Sequence, residues 1–285
     1  MIPKIIHQTG PSNRSDWHPL WIPCAQSWKD QFPHFEHKFW NDAQIDELVS
    51  TEYPNYWCMY QDFPIHIMKI DFVRLCFMHK FGGIYADLDV FCYQNFYSEL
   101  SDPIYLLENP MGNDPIENSL MCSEPGHDFW IECMELTMHR YAYVKHKYPD
   151  MFRNIQVIAG NRKYGLQFRP YFVFYITGTN HLSAAARMTS HTISTLPGIL
   201  YNNNDMSYDP EYRTKHVHTG LWGQESIHIY KTDSVHQTLL RNVPIQDFDF
   251  YTDYTQGEYL KVNKLDWHKN ETDELISPNI TYGFS

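Results

Sequence analysis

The sequence predicts an α/β domain in which a Rossmann-like mixed sheet is flanked by helices. Short apolar runs bounded by turn residues alternate with longer segments of helical period, the pattern of strands threaded between helices. The chain has 285 residues, enough for one large domain or two small ones. Its hydrophobic fraction of 43% and charged fraction of 20% are those of an ordinary folded domain. In such sheets ligands sit beyond the carboxyl ends of strands.

In chain order, residues 2–6 read as a short buried strand that ends at His7-Gln8-Thr9-Gly10, with Gly10-Pro11-Ser12-Asn13 as loop. His34 to Trp40 reads as a second strand, and Asn41 and Asp42 are suited to cap the helix that follows through Ile45, Leu48 and Val49. Residues 65–81 form the clearest helix, with Met68, Phe72, Leu75 and Cys76 on one face and Ile70, Val73, Phe77 and Phe81 on another. So much apolar surface predicts a mostly buried helix. Gly82-Gly83 ends it, and Ile84-Tyr85-Ala86 opens a strand with Asp87-Leu88-Asp89 at its far end. Ile104–Leu107 is a further strand and Gly126–Tyr148 a long helix. Tyr171–Ile176 leans towards β, with helix as the alternative. Asn180 can cap a short helix through Ala184-Ala185-Ala186, and Lys215–His218 reads as a short strand. Residues 1–240 are taken as the domain, and the acidic, tyrosine-rich stretch 241–285 as a wrapping tail.

Composition excludes some functions. The formal charge of −12 opposes a nucleic-acid partner, which requires a basic footprint. It does not oppose a nucleoside diphosphate, because a bound metal can supply positive charge locally. The aromatic fraction of 16% is high and is read chiefly as core. The six cysteines include no Cys-x-x-Cys pair, which argues against a zinc ribbon and for buried free thiols. No stretch approaches ~20 uninterrupted apolar residues, so no membrane span is expected. The start, Met1-Ile2-Pro3-Lys4-Ile5-Ile6-His7, lacks the features of a signal peptide. The expected setting is cytoplasmic and soluble, with membrane association or a luminal setting (had an anchor been removed) as alternatives. Sequons at Asn13, Asn270 and Asn279 matter only in a secretory compartment.

The chemistry centres on Asp87-Leu88-Asp89. Within a strand, residues i and i+2 face one side, so the two carboxylates could hold one hard cation. Alone the pair is a weak signal. Upstream, Asp71 and Arg74 share a face of a helix that should bury little charge without a purpose. Aimed at the same crevice, they could bind sugar hydroxyls and a phosphate oxygen.

The run Asp71-x-x-Arg74 followed by Phe81-Gly82-Gly83-Ile84-Tyr85-Ala86-Asp87-Leu88-Asp89 resembles the sugar-binding DXD region of glycosyltransferase family 32, and its spacing is similar in the clostridial glucosylating toxins. Ile2-Pro3-Lys4-Ile5-Ile6-His7-Gln8 resembles that family's first strand, Phe39-Trp40-Asn41-Asp42 the end of its second, and Asn118-Ser119 with Pro125-Gly126-His127 its acceptor-side segment. The resemblance covers residues 2–130 and is patchy beyond. Gly10 stands near where the family often has Trp, and Thr177-Gly178-Thr179 where Thr-Gly-Pro is common.

The resemblance implies a GT-A fold, with a nucleotide-sugar half over about 1–100 and an acceptor half over about 101–240. It implies a retaining transfer from a UDP- or GDP-hexose with Mn²⁺ or Mg²⁺ as cofactor. Asp89 would bind the metal, Asp87 the metal shell and the donor, and Asp71 and Arg74 the transferred sugar. Ile6, His7, Gln8, Tyr85 and Leu88 would complete the donor site. One of His216 and His218 would be a further metal ligand, with His218 preferred as the end of its strand. The acceptor would be a glycan, glycolipid or protein. Glu108 and Asp128 are carboxylates available to an oxocarbenium-like transition state, neither assigned. Two other classes compete: a non-catalytic nucleotide-sugar-binding protein and a metal-dependent phosphohydrolase.

Overall fold

The structure, a computed structural model, describes residues 1–109, 115–147, 173–202 and 211–217. The chain divides into two compact units. One comprises Met1–Met138 with Val173–Leu221, and the other His139–Phe172 with Trp222–Ser285. Of the second unit the described residues are 139–147, the end of a helix. The tail expected over 241–285 lies outside the described residues.

In chain order the elements are β1 (Ile5–Thr9), α1 (Trp21–Gln31), β2 (Glu36–Trp40), α2 (Asp42–Glu52), α3 (Trp57–Asp62), α4 (His66–Lys80), β3 (Gly83–Ala86) and β4 (Val90–Cys92). They continue with β5 (Ile104–Glu108), β6 (Ile116–Ser123), α5 (Phe129–Lys147), α6 (Thr179–Met188), β7 (Ser194–Leu196), α7 (Gly198–Tyr201) and β8 (Thr214–His216). Six strands form a mixed sheet in the order β2-β1-β3-β6-β5-β7, and β4 pairs with β8 in a separate ribbon. β1 runs parallel to both β2 and β3, whereas β6 is antiparallel to β3 and β5. The mixed α/β sheet expected from the sequence is therefore present.

Alternation along the strands sends side chains to two cores. Ile6, Ile84, Ala86, Leu120 and Cys122 join Trp28, Phe32 and Phe96 in one cluster. His7 and Tyr85 stack on Phe77 of α4 on the other side. Burying each large apolar side chain contributes roughly 1.5–3 kcal/mol, before the entropic cost of ordering it. Helix α4 is buried over Asp71–Met78 because it also carries a second aromatic layer, in which Phe72 meets Tyr56, Tyr60 and Phe63. Asn41 caps α2 through a reciprocal capping box with Gln44.

The α4–β3 corner depends on Gly82 and Gly83, at φ 61° and 92°. A Cβ on Gly83 would lie 2.5 Å from the Ile5 carbonyl oxygen, so the β1–β3 seam closes only over a glycine. Gly83→Ala combines left-handed strain with a backbone collision. We expect a loss of about 2–4 kcal/mol, read as a lower urea midpoint at unchanged m-value.

Several expected boundaries shift. β1 includes His7-Gln8-Thr9, because these polar residues pair in register with Lys38, Phe39 and Trp40 of β2. Residues 173–176 take the helical alternative. The residue at the N-cap of α6 is Gly178, with Asn180 inside the first turn. β8 spans Thr214–His216, set by its pairing with Val90–Cys92, and His218 lies outside the described residues.

Candidate functional site

Asp87 and Asp89 lie in a turn and not along a strand. β3 ends at Ala86, the Asp87 N–H bonds the Ser119 carbonyl at 2.9 Å, and the Val90 N–H closes the turn on the Asp87 carbonyl at 3.0 Å. The chain must leave the sheet here so that β4 can reach β8. Strand alternation is thus the wrong reason for the convergence of the two carboxylates; a tight turn brings them together. Leu88, between them, is buried. Its Cδ1 occupies the space that a Cβ on Gly10 would take, at 2.4 Å.

One side of the turn is a buried ionic clamp. Arg74 Nη2 lies 3.1 Å from Asp71 Oδ1 and 3.3 Å from Asp87 Oδ1. Its Nη1 donates to the Asn118 carbonyl at 2.6 Å, and its guanidinium stacks over the Tyr85 ring at 4.7 Å. Tyr85 donates its hydroxyl to Asp87 Oδ1 at 2.6 Å. Asp71 also accepts from Asn118 Nδ2 at 3.0 Å and from Thr177 Oγ1 at 3.1 Å. Burial pushes the Asp71 carboxyl up to about 6 against the opposing pull of Arg74. Burial likewise raises Asp87, with Arg74 opposing and Asp89 adding. Burial works against the Arg74 charge, but Asp87, Tyr85 and Asp71 hold its proton more firmly than usual.

The other side gathers ligand-type atoms. Asp87, Asp89 and His216 each offer one atom, all within 4.8 Å of one another. His216 Nε2 is 3.1 Å from Asp89 Oδ1, and its Nδ1 is 2.6 Å from Glu117 Oε1. Burial opposes the imidazolium, but bonds to Asp89 and Glu117 overcome it and move His216 up to about 10. Among the described residues, Asp71, Asp87, Asp89 and Glu117 bring four carboxylates around the turn, with Arg74 and His216 as their basic partners. This excess of negative charge, with oxygen and imidazole donors converging, fits a hard divalent ion such as Mn²⁺ or Mg²⁺.

Strand β1 places its residues differently. Ile6 belongs to the core cluster. His7 is wholly buried, and Trp40 Nε1 donates to its Nδ1 at 3.0 Å while its Nε2–H donates to the Gly82 carbonyl at 2.9 Å. That pair of bonds selects the neutral Nε2–H tautomer, since a protonated Nδ1 would face another donor. Burial chiefly, with Lys38 adding and the Gly82 bond opposing, lowers His7 to about 4. Gln8 is also buried, and its Nε2 has no hydrogen-bond partner among the described residues.

His7 gives a signed pH prediction. Between about pH 6.5 and 4 the unfolded chain holds a proton at His7 that the folded chain refuses, so stability falls as pH drops through this window. The loss attributable to His7 at pH 4.5 is about 2–3 kcal/mol. His7→Phe should show a smaller difference between its urea stabilities at pH 7.5 and 4.5 by that amount, although it is less stable at both.

Residues 19–111 match the family described as "Glycosyltransferase sugar-binding region containing DXD motif". Over this stretch the chain is similar to DXD-type glycosyltransferase sugar-binding regions. It carries both members of the clamp, Asp71 and Arg74, and both carboxylates of the turn. The chain is 34% identical to inositol phosphoceramide mannosyltransferase 3 of Schizosaccharomyces pombe over 146 residues, 51% of this chain and 39% of that protein. It is 31% identical over 140 residues, 49% of this chain and 36% of the other, to a mannosyl phosphorylinositol ceramide synthase of Saccharomyces cerevisiae. These spans are well under half the length of either relative. Among solved structures, the PaToxG glycosyltransferase aligns with a TM-score of 0.40 at 12% identity, covering 92% of this chain and 84% of that one. No helix among the described residues is long and apolar enough to cross a membrane.

Within the matched stretch and its surroundings, the structure brings together Asp71, Arg74, Tyr85, Asp87, Asp89 and His216 from the sequence expectations. Sequence reasoning missed Glu117 and the bonds that Asn118 and Thr177 make to Asp71. The signal available was a cluster of polar residues, Glu117-Asn118-Ser119, inside an otherwise apolar run. Glu108 is occupied elsewhere, accepting from Thr195 Oγ1 at 2.8 Å and from the Gly198 N–H at 3.2 Å.

Proposed function

We propose that this protein is a retaining, metal-dependent glycosyltransferase that moves a hexosyl group from a UDP- or GDP-sugar to a glycan, glycolipid or protein acceptor. The observation that carries the reading is the meeting, at one turn, of the buried Asp71–Arg74 pair, which reaches half-buried Asp87, and a converging Asp87–Asp89–His216 trio. A phosphohydrolase has no need of a buried clamp beside its cation.

Asp89, Asp87 and His216 would hold the ion. Bound there, Mn²⁺ or Mg²⁺ would neutralise charge on the departing nucleoside diphosphate. Asp71 and Arg74 would orient the hexose, and their mutual hydrogen bonds hold both side chains in one geometry before substrate arrives. Tyr85 fixes one oxygen of Asp87, which leaves the other oxygen to act at the site. The Nε2 of Gln8, unpartnered among the described residues, is a buried donor available to the nucleotide. On this reading residues 1–100 supply most of the donor side, and Asn118 and His216 from the second stretch complete it.

The test is nucleotide release from a panel of UDP- and GDP-sugars with Mn²⁺ and with chelator. Mannose nucleotides come first, because the relatives are named for mannosyl transfer to inositol phosphoceramide. Mn²⁺-dependent release of one nucleotide supports the reading. Absence of both release and metal-dependent donor binding across the panel sinks it. Binding without release, even with inositol phosphoceramide as acceptor, would favour the non-catalytic alternative.

A further inference from the structure

Glu117 is a buried carboxylate at the start of β6, a costly place for a charge unless partners hold it. It has such partners. Ser119 Oγ donates to its Oε1 at 2.9 Å, His216 Nδ1 donates to the same oxygen at 2.6 Å, and Asn202 Nδ2 donates to its Oε2. β6 bulges against β5 between Glu117 and Met121, and within the bulge Ser119 reaches back to Glu117 while the Asn118 side chain turns to Asp71. β6 therefore serves both halves of the site from successive positions.

The consequence falls on His216. An imidazole whose Nδ1–H is committed to a carboxylate presents Nε2 outwards, with ring angle and tautomer both set. Here Nε2 points at Asp89 Oδ1, 3.1 Å away, into the trio with Asp87. We propose that Glu117 is the positioning residue for His216, and that the Ser119–Glu117–His216 chain sets the affinity of the site for its divalent cation. The inference rests on the metal reading above. It adds that a residue outside the Asp87–Asp89 turn decides how well His216 can act as a ligand. Asn202 supports the same arrangement, and its Oδ1, which has no partner among the described residues, allows the amide to flip and accept a hydrogen bond in the Glu117→Gln variant.

The test titrates Mn²⁺ alone into the full chain, with affinity read by electron paramagnetic resonance. Pulsed measurements on the bound ion detect a coordinated imidazole through its ¹⁴N modulation. The wild type should bind Mn²⁺ and show that modulation, and His216→Ala should lose it. Glu117→Ala should weaken Mn²⁺ binding about 10–100-fold and reduce the modulation. Glu117→Gln keeps the acceptor for Nδ1–H and should restore the modulation and most of the affinity, which a purely structural loss would not allow. Glu117→Ala binding within twofold of wild type, with full modulation, would overturn the proposal and leave the metal reading standing. Glu117→Gln failing as badly as Glu117→Ala would also overturn it, since Glu117 would then act through its charge or as a ligand. Wild-type chain that binds no Mn²⁺ would overturn both.

Discussion

Asp89→Asn should abolish Mn²⁺-dependent nucleotide release, by about 10³-fold or more, while leaving the metal-free protein folded. A cation that stabilises the leaving diphosphate is worth several kcal/mol, and each 1.36 kcal/mol is a factor of ten in rate. The Asp89 side chain is 13% exposed and aims one oxygen at His216 Nε2. Replacing it by an isosteric amide removes a charged ligand without opening a cavity. The variant loses the pairing of Asp89 with His216 but also relieves the repulsion between Asp89 and Asp87, which offsets part of that loss. Two thermal melts separate these effects. In chelator the variant should melt within a few degrees of wild type. At Mn²⁺ about 100-fold above the dissociation constant, wild type should gain about 2.7 kcal/mol and the variant nothing. A variant that still gains would place the ion elsewhere.

Arg74→Met should cost about 3–5 kcal/mol of folding stability, the largest loss expected from a single side chain in the clamp. The guanidinium is 2% exposed and balances Asp71 and Asp87 together, and its removal leaves two carboxylates and the Asn118 carbonyl without it. Arg74→Lys keeps the charge but offers no planar fork to reach both carboxylates and the carbonyl, so an intermediate loss is expected. The decisive measurement is a double-mutant cycle. Asp71→Asn made in the Arg74→Met background should recover about 1–3 kcal/mol relative to additivity in urea unfolding. Strict additivity would mean that the two side chains do not act as a unit.

Much of this site could be read before folding was considered. Helix α4 announced itself by apolar spacing on two faces, and its two charges stood out for that reason. The glycine pair marked the corner, and Asp87 and Asp89 followed at once. Other parts were not legible. The motif looked like a strand end because Ile84-Tyr85-Ala86 precedes it, yet the observed turn follows from where β4 must go. β6 did not read as a strand, because Glu117, Asn118 and Ser119 interrupt its apolar run. Glu117 and Asn118 are held by partners far away in the chain: His216 for Glu117, Asp71 and Arg74 for Asn118. His7 and Gln8 looked like the polar end of a strand, but pairing with β2 carries the strand through them and buries both.

The sequence by itself determined the elements whose causes are local: the period of α4, the capping box of α2, the positive-φ glycines and the spacing from Asp71 to Asp89. Only the tertiary structure decided which polar residues those elements would face. Burying a charge is tolerable only beside its complement, and the complements of Asp71, Asp89 and Glu117 include residues 106, 127 and 99 positions along the chain. Local pattern cannot report a partner at that distance, so Thr177, His216 and Glu117 acquire their roles only when the sheet closes.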